Sequence, residues 1–238
     1  MNKVEEKLCF DIVFCKNTGK GPCTKVSSVA KCPHSLMPEP WNGHLSEAKI
    51  LFIGSNPSFD CNEVYPDATW SSKQICDFFE NRFKNGKVKN GKEVSVPYWT
   101  YLIKYTNWIN DEFNTKGKTP LTKYPITKQK KNMYDGLNND VASTEIVHCK
   151  SNNAVGFTVS CCKCSDMWMA NILNLFKGKL IVVLGANAKK AIKKCTKLNA
   201  IITSLKIPVI YLPHPSWRMS DNARKATVQA ELAKVGLI

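Results

Sequence analysis

Apolar positions in this chain gather into four short runs with abrupt ends. Residues 49–53 (KILFI) stop at Gly54, residues 144–148 (TEIVH) at Cys149, Leu180–Leu184 (LIVVL) at Gly185, and residues 209–212 (VIYL) at Pro213. Runs this short, rich in β-branched residues, predict buried strands. Between them the spacing changes to three and four. Residues 71–83 put Ile75, Phe78, Phe79 and Phe83 on one face behind Ser71 or Ser72 as a cap, which predicts a helix. Residues 98–110 and 166–176 read as helices, the second following a cysteine-rich turn, and residues 220–235 as a closing helix capped by Ser220. Residues 187–198 turn Ala191, Ile192, Cys195 and Leu198 inward and five lysines outward, the pattern of a soluble helix. Asn85-Gly86 and Asn90-Gly91 mark the turns of a small basic hairpin, and Pro120 and Pro125 make 117–140 a loop. No internal repeat is present.

Strands alternating with helices predict an α/β fold, three α/β/α layers about a central four-stranded, mostly parallel sheet. The chain reads as one domain, 1–238, with a cysteine-bearing N-terminal extension over about 1–45. Ligands of such sheets sit beyond the carboxyl ends of the strands. Those ends carry Gly54-Ser55-Asn56-Pro57-Ser58, the stretch from Glu145 to Cys149, Gly185, and Pro213-His214-Pro215-Ser216.

Charge changes the picture. Lys+Arg number 34 against 19 Asp+Glu, a formal net charge of +15. Twelve of the cations lie between residues 82 and 131 against three acids, interleaved with Tyr98, Trp99, Tyr101, Tyr105, Trp108 and Tyr124. That mixture suits a phosphate backbone beside unstacked bases, and equally a lysine-rich surface over an aromatic core. No apolar run approaches the roughly 20 residues of a membrane span. Glu5, Glu6 and Asp11 stand where a secretory signal needs cations and an unbroken apolar stretch, so a cytoplasmic protein is expected. In that compartment eleven cysteines point to a metal site more readily than to disulfides, with small buried hydrophobes as the plain alternative. Cys76 and Cys195, within helical patterns, read as buried hydrophobes.

Two loops hold candidate chemistry. In Gly54-Ser55-Asn56-Pro57-Ser58 the glycine permits a sharp turn, Pro57 stiffens the exit and Asn56 presents an amide; the spacing fits neither a dinucleotide fingerprint nor a phosphate loop. His214, locked between Pro213 and Pro215, has little backbone freedom and an aimed imidazole. Trp217, Arg218 and Met219 beyond it form a bulky tip that suits a wedge in a base stack, or else a loop packed on the protein. No G-x-S-x-G elbow supports a generic α/β hydrolase.

With these residues in place the chain resembles the uracil-DNA glycosylase superfamily. ILFIGSNPS, TEIVHCKS, LIVVLG and YLPHPSW carry the likeness, in order, from about Cys32 to the C-terminus. GSNPS resembles the first motif in its Asn-bearing form and HPSW the histidine motif. The resemblance implies a monofunctional uracil-DNA glycosylase acting on DNA as a monomer, flipping a deaminated base from the stack and hydrolysing its N-glycosidic bond to initiate base excision repair. It implies that His214 donates to the developing oxyanion, that Asn56 orients the attacking water, and that Gly54, Ser55, Pro57 and Ser216 shape the substrate site. Trp70 falls near the aromatic that stacks on the flipped base, with Phe59 and Tyr65 as rivals. Where relatives read the uracil edge with an asparagine, this chain has Glu145, which can mimic the amide if burial keeps it protonated, or else shifts the substrate range from plain uracil. No lysine of the matching motifs is read as an amine nucleophile, so no lyase step is expected. Likeness to the iron–sulfur class implies a [4Fe–4S] cluster on Cys149 and Cys164 with Cys23 and Cys32. Cys161 or Cys162, and Cys9 or Cys15, are fallbacks, and zinc is the alternative metal. A non-catalytic, metal-stabilised nucleic-acid-binding protein of the same fold is the competing expectation.

Overall fold

A computed structural model describes residues 1–27, 37–58, 63–122, 134–151 and 154–238. In chain order the elements are α1 (Lys3–Val13), a 3₁₀ turn (Gly21–Cys23), α2 (Thr24–Ser27), β1 (Trp41–Asn42), β2 (Ile50–Gly54), α3 (Ser72–Glu80) and α4 (Arg82–Asn85). Next come β3 (Lys87–Lys89), β4 (Lys92–Val94), α5 (Pro97–Thr115), α6 (Asp135–Asp140), β5 (Val141–Glu145) and α7 (Phe157–Leu175). The chain closes with β6 (Leu180–Leu184), α8 (Gly185–Lys194), α9 (Thr196–Ser204), β7 (Val209–Leu212) and α10 (Asp221–Lys234).

The main sheet runs β1-β5-β2-β6-β7, parallel except for β1, which pairs antiparallel with β5. The α/β architecture is therefore as expected, with one short edge strand more than the four foreseen. Side chains of β2 and β6 alternate between two cores, as strand geometry requires. Leu51, Ile53, Ile181 and Val183 pack with residues of α1, α3, α7, α8 and α9. Ile50, Phe52, Leu180 and Val182 pack with residues of α5 and α10. Both central strands are buried along their whole length, which is why they read as unbroken apolar runs. α1 contributes Leu8, Cys9, Ile12 and Val13 to the first core, so the N-terminal segment packs into the layers.

Local signals explain the ends. Asn2 and Glu5, and Ser71 and Gln74, form reciprocal caps, and the Ser220 hydroxyl accepts from the Ala223 N–H. The hairpin of β3 and β4 turns on Asn90 (φ 50°) and Gly91 (φ 72°). Several boundaries differ from the sequence reading. The helix of 71–83 breaks at Asn81, that of 187–198 breaks at an extended Cys195, and α6 lies inside the foreseen loop 117–140. The cysteine-rich stretch is already helical from Phe157. Trp99 and Tyr105 of the basic aromatic segment are buried in the second core, where these rings stabilise α5; Tyr124 lies outside the described residues. No described helix is long and apolar enough to cross a membrane.

Candidate active site

β2 and β5 end in register, Gly54 opposite Glu145. The ladder continues past both: Ile146 N–H donates to Gly54 O at 3.1 Å and Val147 N–H to Ser55 O at 2.9 Å. Ser151 N–H then donates to Pro57 O at 3.0 Å, so the 54–58 loop is tied down along its length. The Asn56 amide nitrogen donates to Ser151 Oγ at 2.7 Å and to Pro57 O at 3.3 Å. With both amide hydrogens committed, Oδ1 is the acceptor left to face a water; its internal contact is the Ser55 hydroxyl at 3.4 Å.

His214 is positioned from two sides. Its Nδ1 accepts from the Ser216 N–H at 3.2 Å and lies 2.7 Å from Ser216 Oγ, so the neutral ring carries its proton on Nε2. Burial, helped by the Arg224 charge, holds the imidazole below its ordinary pKa, in the neutral form. Gly185 (φ +85°) is needed here, since a Cβ would stand 2.8 Å from His214 Cβ. Arg224 of α10, fully buried, donates to His214 O at 3.2 Å, Pro215 O at 3.3 Å, Met219 O at 3.4 Å and the Tyr105 hydroxyl at 2.6 Å, and also to Trp217 O. One guanidinium thus organises the whole 214–219 turn. Arg224→Met leaves several buried acceptors unmatched and is expected to cost on the order of 3 kcal/mol of stability, checked by denaturant titration. Beyond this turn Trp217 stands 61% exposed, with Arg218 and Met219 beside it also exposed.

Two cavities meet at this pair. One, of about 200 Å³, is lined by Asn56, Pro57, Tyr98, Glu145, Lys150 and His214 among others. The second, of about 580 Å³, is lined by Ser55, Asn56, Ser151, Gly185, His214 and Ser216. Asn56, Ser58 and His214 border both. Trp70 is elsewhere, edge-on to Phe78 at 5.7 Å and lining a separate cleft with Gln74 and Lys84. Tyr65 is buried behind the first cavity, and Phe59 lies outside the described residues. The aromatic rings that do line the cavity come from α5: Tyr98, 5.8 Å from the His214 ring, and Trp99.

The inner wall is charged, which the sequence reading did not foresee. Burial raises the Glu145 carboxyl well above its ordinary pKa, and the nearby Glu39 charge adds to this; the Tyr98 hydroxyl close to it opposes the rise. A Cβ on Gly54 would run into that carboxyl. Glu39 is held low despite burial by Lys150 and Arg82 and by bonds from Asn42 (2.7 Å) and Tyr65 (3.2 Å). The two carboxyls are thus pushed in opposite directions, Glu39 toward the anion and Glu145 toward the neutral acid. Lys150 Nζ lies 3.6 Å from Glu39 Oε2 and 3.1 Å from the centre of the Tyr65 ring, and burial pulls its ammonium down to about 7. Lys150 belongs to the TEIVHCKS motif and lines the cavity.

The described cysteines fall into three groups. Cys23 and Cys149 share a thiol–thiol hydrogen bond, and Cys164 Sγ accepts from the His148 N–H at 3.4 Å close to both. Buried sulfurs converging with a backbone N–H aimed at one of them suit thiolate ligation. Cys32 lies outside the described residues; half-buried Cys15 is near Cys164. Cys9 bonds to Cys76 instead, so it does not belong to this group. Cys161, Cys162 and Cys195 form the third group, their sulfurs all within 4.8 Å, with Cys162 and Cys195 joined as a disulfide. These three could hold a metal only if that bond is reduced. Cys195 is thus buried, as expected of a small hydrophobe, but its sulfur is a bonding partner.

An imidazole and an oriented amide thus border one cavity at the carboxyl edge of a mostly parallel sheet. The Uracil DNA glycosylase superfamily is the family whose model matches, over residues 40–234, and the chain belongs to it. Membership supports a DNA glycosylase type of function. Among curated proteins none matches the chain.

Proposed function

We propose that this protein flips a deaminated base, uracil above all, out of DNA and hydrolyses its N-glycosidic bond as a monofunctional enzyme initiating base excision repair. One observation carries the reading: Asn56 and His214 border the same cavity. The bond between C1′ and the base breaks with its electron pair leaving on the base. His214 Nε2–H donates to the oxygen where that charge appears, and it does so as a neutral donor. Asn56 Oδ1 accepts from the water whose oxygen bonds C1′; an amide is too weak a base to do more, so bond breaking runs ahead of attack. Protonated Glu145 offers one donor and one acceptor to the N3–H and O4 edge, as an amide would. Ser55, Pro57 and Ser216 hold the two loops, and Gly54 makes room for Glu145. The larger cavity takes the sugar and its phosphates. Trp217, Arg218 and Met219 enter the stack, and the lysine-rich surface holds the backbone.

The group of Cys23, Cys149 and Cys164, with Cys32 as fourth ligand, would hold a [4Fe–4S] cluster, zinc being the other metal that four thiolates suit. When bound, it would tie the N-terminal segment to β5 and α7 and take no part in bond cleavage. Purified protein is expected to be brown and to contain iron and sulfide in equal amounts, with Cys149→Ser losing both; colourless, zinc-loaded protein overturns the iron assignment. The reading as a whole is tested by base release from oligonucleotides with uracil opposite guanine, opposite adenine and in single strands. Wild-type protein that binds these DNAs and releases no base is a binder instead.

A further inference from the structure

Apart from Glu145, the inner wall of the 200 Å³ cavity has no part in reading the uracil edge as described, yet it is the most highly charged part of the site. Arg82, Lys87 and Lys150 line it with Glu39, Glu63 and Glu145, the last biased by burial toward the neutral acid. Arg82 and Lys87 both pair with Glu63, Lys87 at 3.2 Å. Lys150 faces Glu39 alone at a longer 3.6 Å, its side chain 3% exposed. On the same wall Arg82 Nε and Asn42 Oδ1 have no hydrogen-bond partner among the described residues although both are buried. A buried wall that carries the Lys150 ammonium and an unmatched Arg82 N–H, on the cavity that Asn56 and His214 border, offers positive charge to a bound group on which negative charge develops.

We propose that Lys150, aimed by Glu39 and Tyr65, supplies positive charge at the far edge of the base, against which the negative charge of the departing base develops. This rests on the glycosylase reading of the site and deepens it. Glycosidic cleavage sends an electron pair into the ring of the base, and that charge spreads to its distal carbonyl as well as to the one His214 meets. A neutral ground-state base gains little from Lys150; the anion gains much, so the contact is stronger in the transition state. The water oxygen ends on C1′ and its proton passes to solvent or to the released anion.

The test compares leaving groups. Single-turnover release of uracil and of the more acidic 5-fluorouracil is measured for wild type and Lys150→Met at one and the same pH. Lys150→Met is expected to slow uracil release on the order of tenfold and 5-fluorouracil release about twofold, because a base that carries its own charge well needs less help. The ratio of the two rates does not depend on how much of a preparation is folded, so a merely structural loss leaves it unchanged. If Lys150→Met does not accumulate, Lys150→Gln gives the same ratio. Equal slowing of both bases, or none, overturns the role of Lys150 while leaving the glycosylase reading intact. Wild-type protein that releases neither base overturns both.

Discussion

His214→Ala is expected to slow single-turnover release of uracil by 10²–10³-fold, roughly 3–4 kcal/mol of transition-state stabilisation, while binding to uracil-containing DNA changes little. The size follows from geometry. Pro213 and Pro215 fix the backbone, the Ser216 N–H fixes the ring from Nδ1, and Arg224 holds the carbonyls of 214, 215 and 217. The donor is therefore already oriented before charge appears, which is what makes such a hydrogen bond worth more in the transition state than in the ground state. Because burial keeps the ring neutral, its donor is present across the neutral range and the His214 contribution should not fade as pH rises from 6 to 8. Loss of activity from Ser216→Ala should be smaller, since the backbone N–H still holds Nδ1. A His214→Ala protein that releases uracil at the wild-type rate removes the imidazole from the mechanism.

Much of this site was legible because its two central residues are punctuated. An apolar run ending in Gly-Ser-Asn-Pro, and another ending in Pro-His-Pro, announce strand ends from local sequence alone. β6 and β7 coincide with their apolar runs for the same reason. β5 does not: it begins at Val141, where alanine, serine and threonine dilute the pattern, and the ladder to β2 decides its register. β1 has two residues, too few for any period. α7 starts at Phe157 behind Gly156 (φ +79°), whose missing side chain lets the backbone of Lys25 and Val26 approach; that contact joins distant stretches and leaves no periodic trace. The charged wall was illegible on the same grounds. Glu39, Arg82 and Lys150 come from three separated segments, each an ordinary surface residue when read alone. Tyr98 was one ring among six in a basic segment, and its neighbours Trp99 and Tyr105 turn inward, so nothing local singled it out.

Glu145→Gln should separate the pH profile from the chemistry. The wild-type carboxyl reads the base edge only while protonated, and its pKa lies well above the ordinary carboxylate range because of burial and Glu39. Uracil release by wild type is therefore expected to decline about tenfold per pH unit once pH passes that raised value, whereas Glu145→Gln, which always presents a donor and an acceptor, stays flat. Stability moves the same way. The folded state keeps a proton that the unfolded chain releases above about pH 4.3, so folding loses free energy as pH climbs from there to the raised folded value. Glu145→Gln removes that loss and should melt higher than wild type at pH 8 while matching it near pH 4. A wild-type rate that is level from pH 5 to 9, with no difference in melting between the two proteins at pH 8, means that the carboxyl is ionised in the folded protein. Reading of the base would then need a donor from another wall of the cavity, because an ionised Glu145 accepts from N3–H but repels O4.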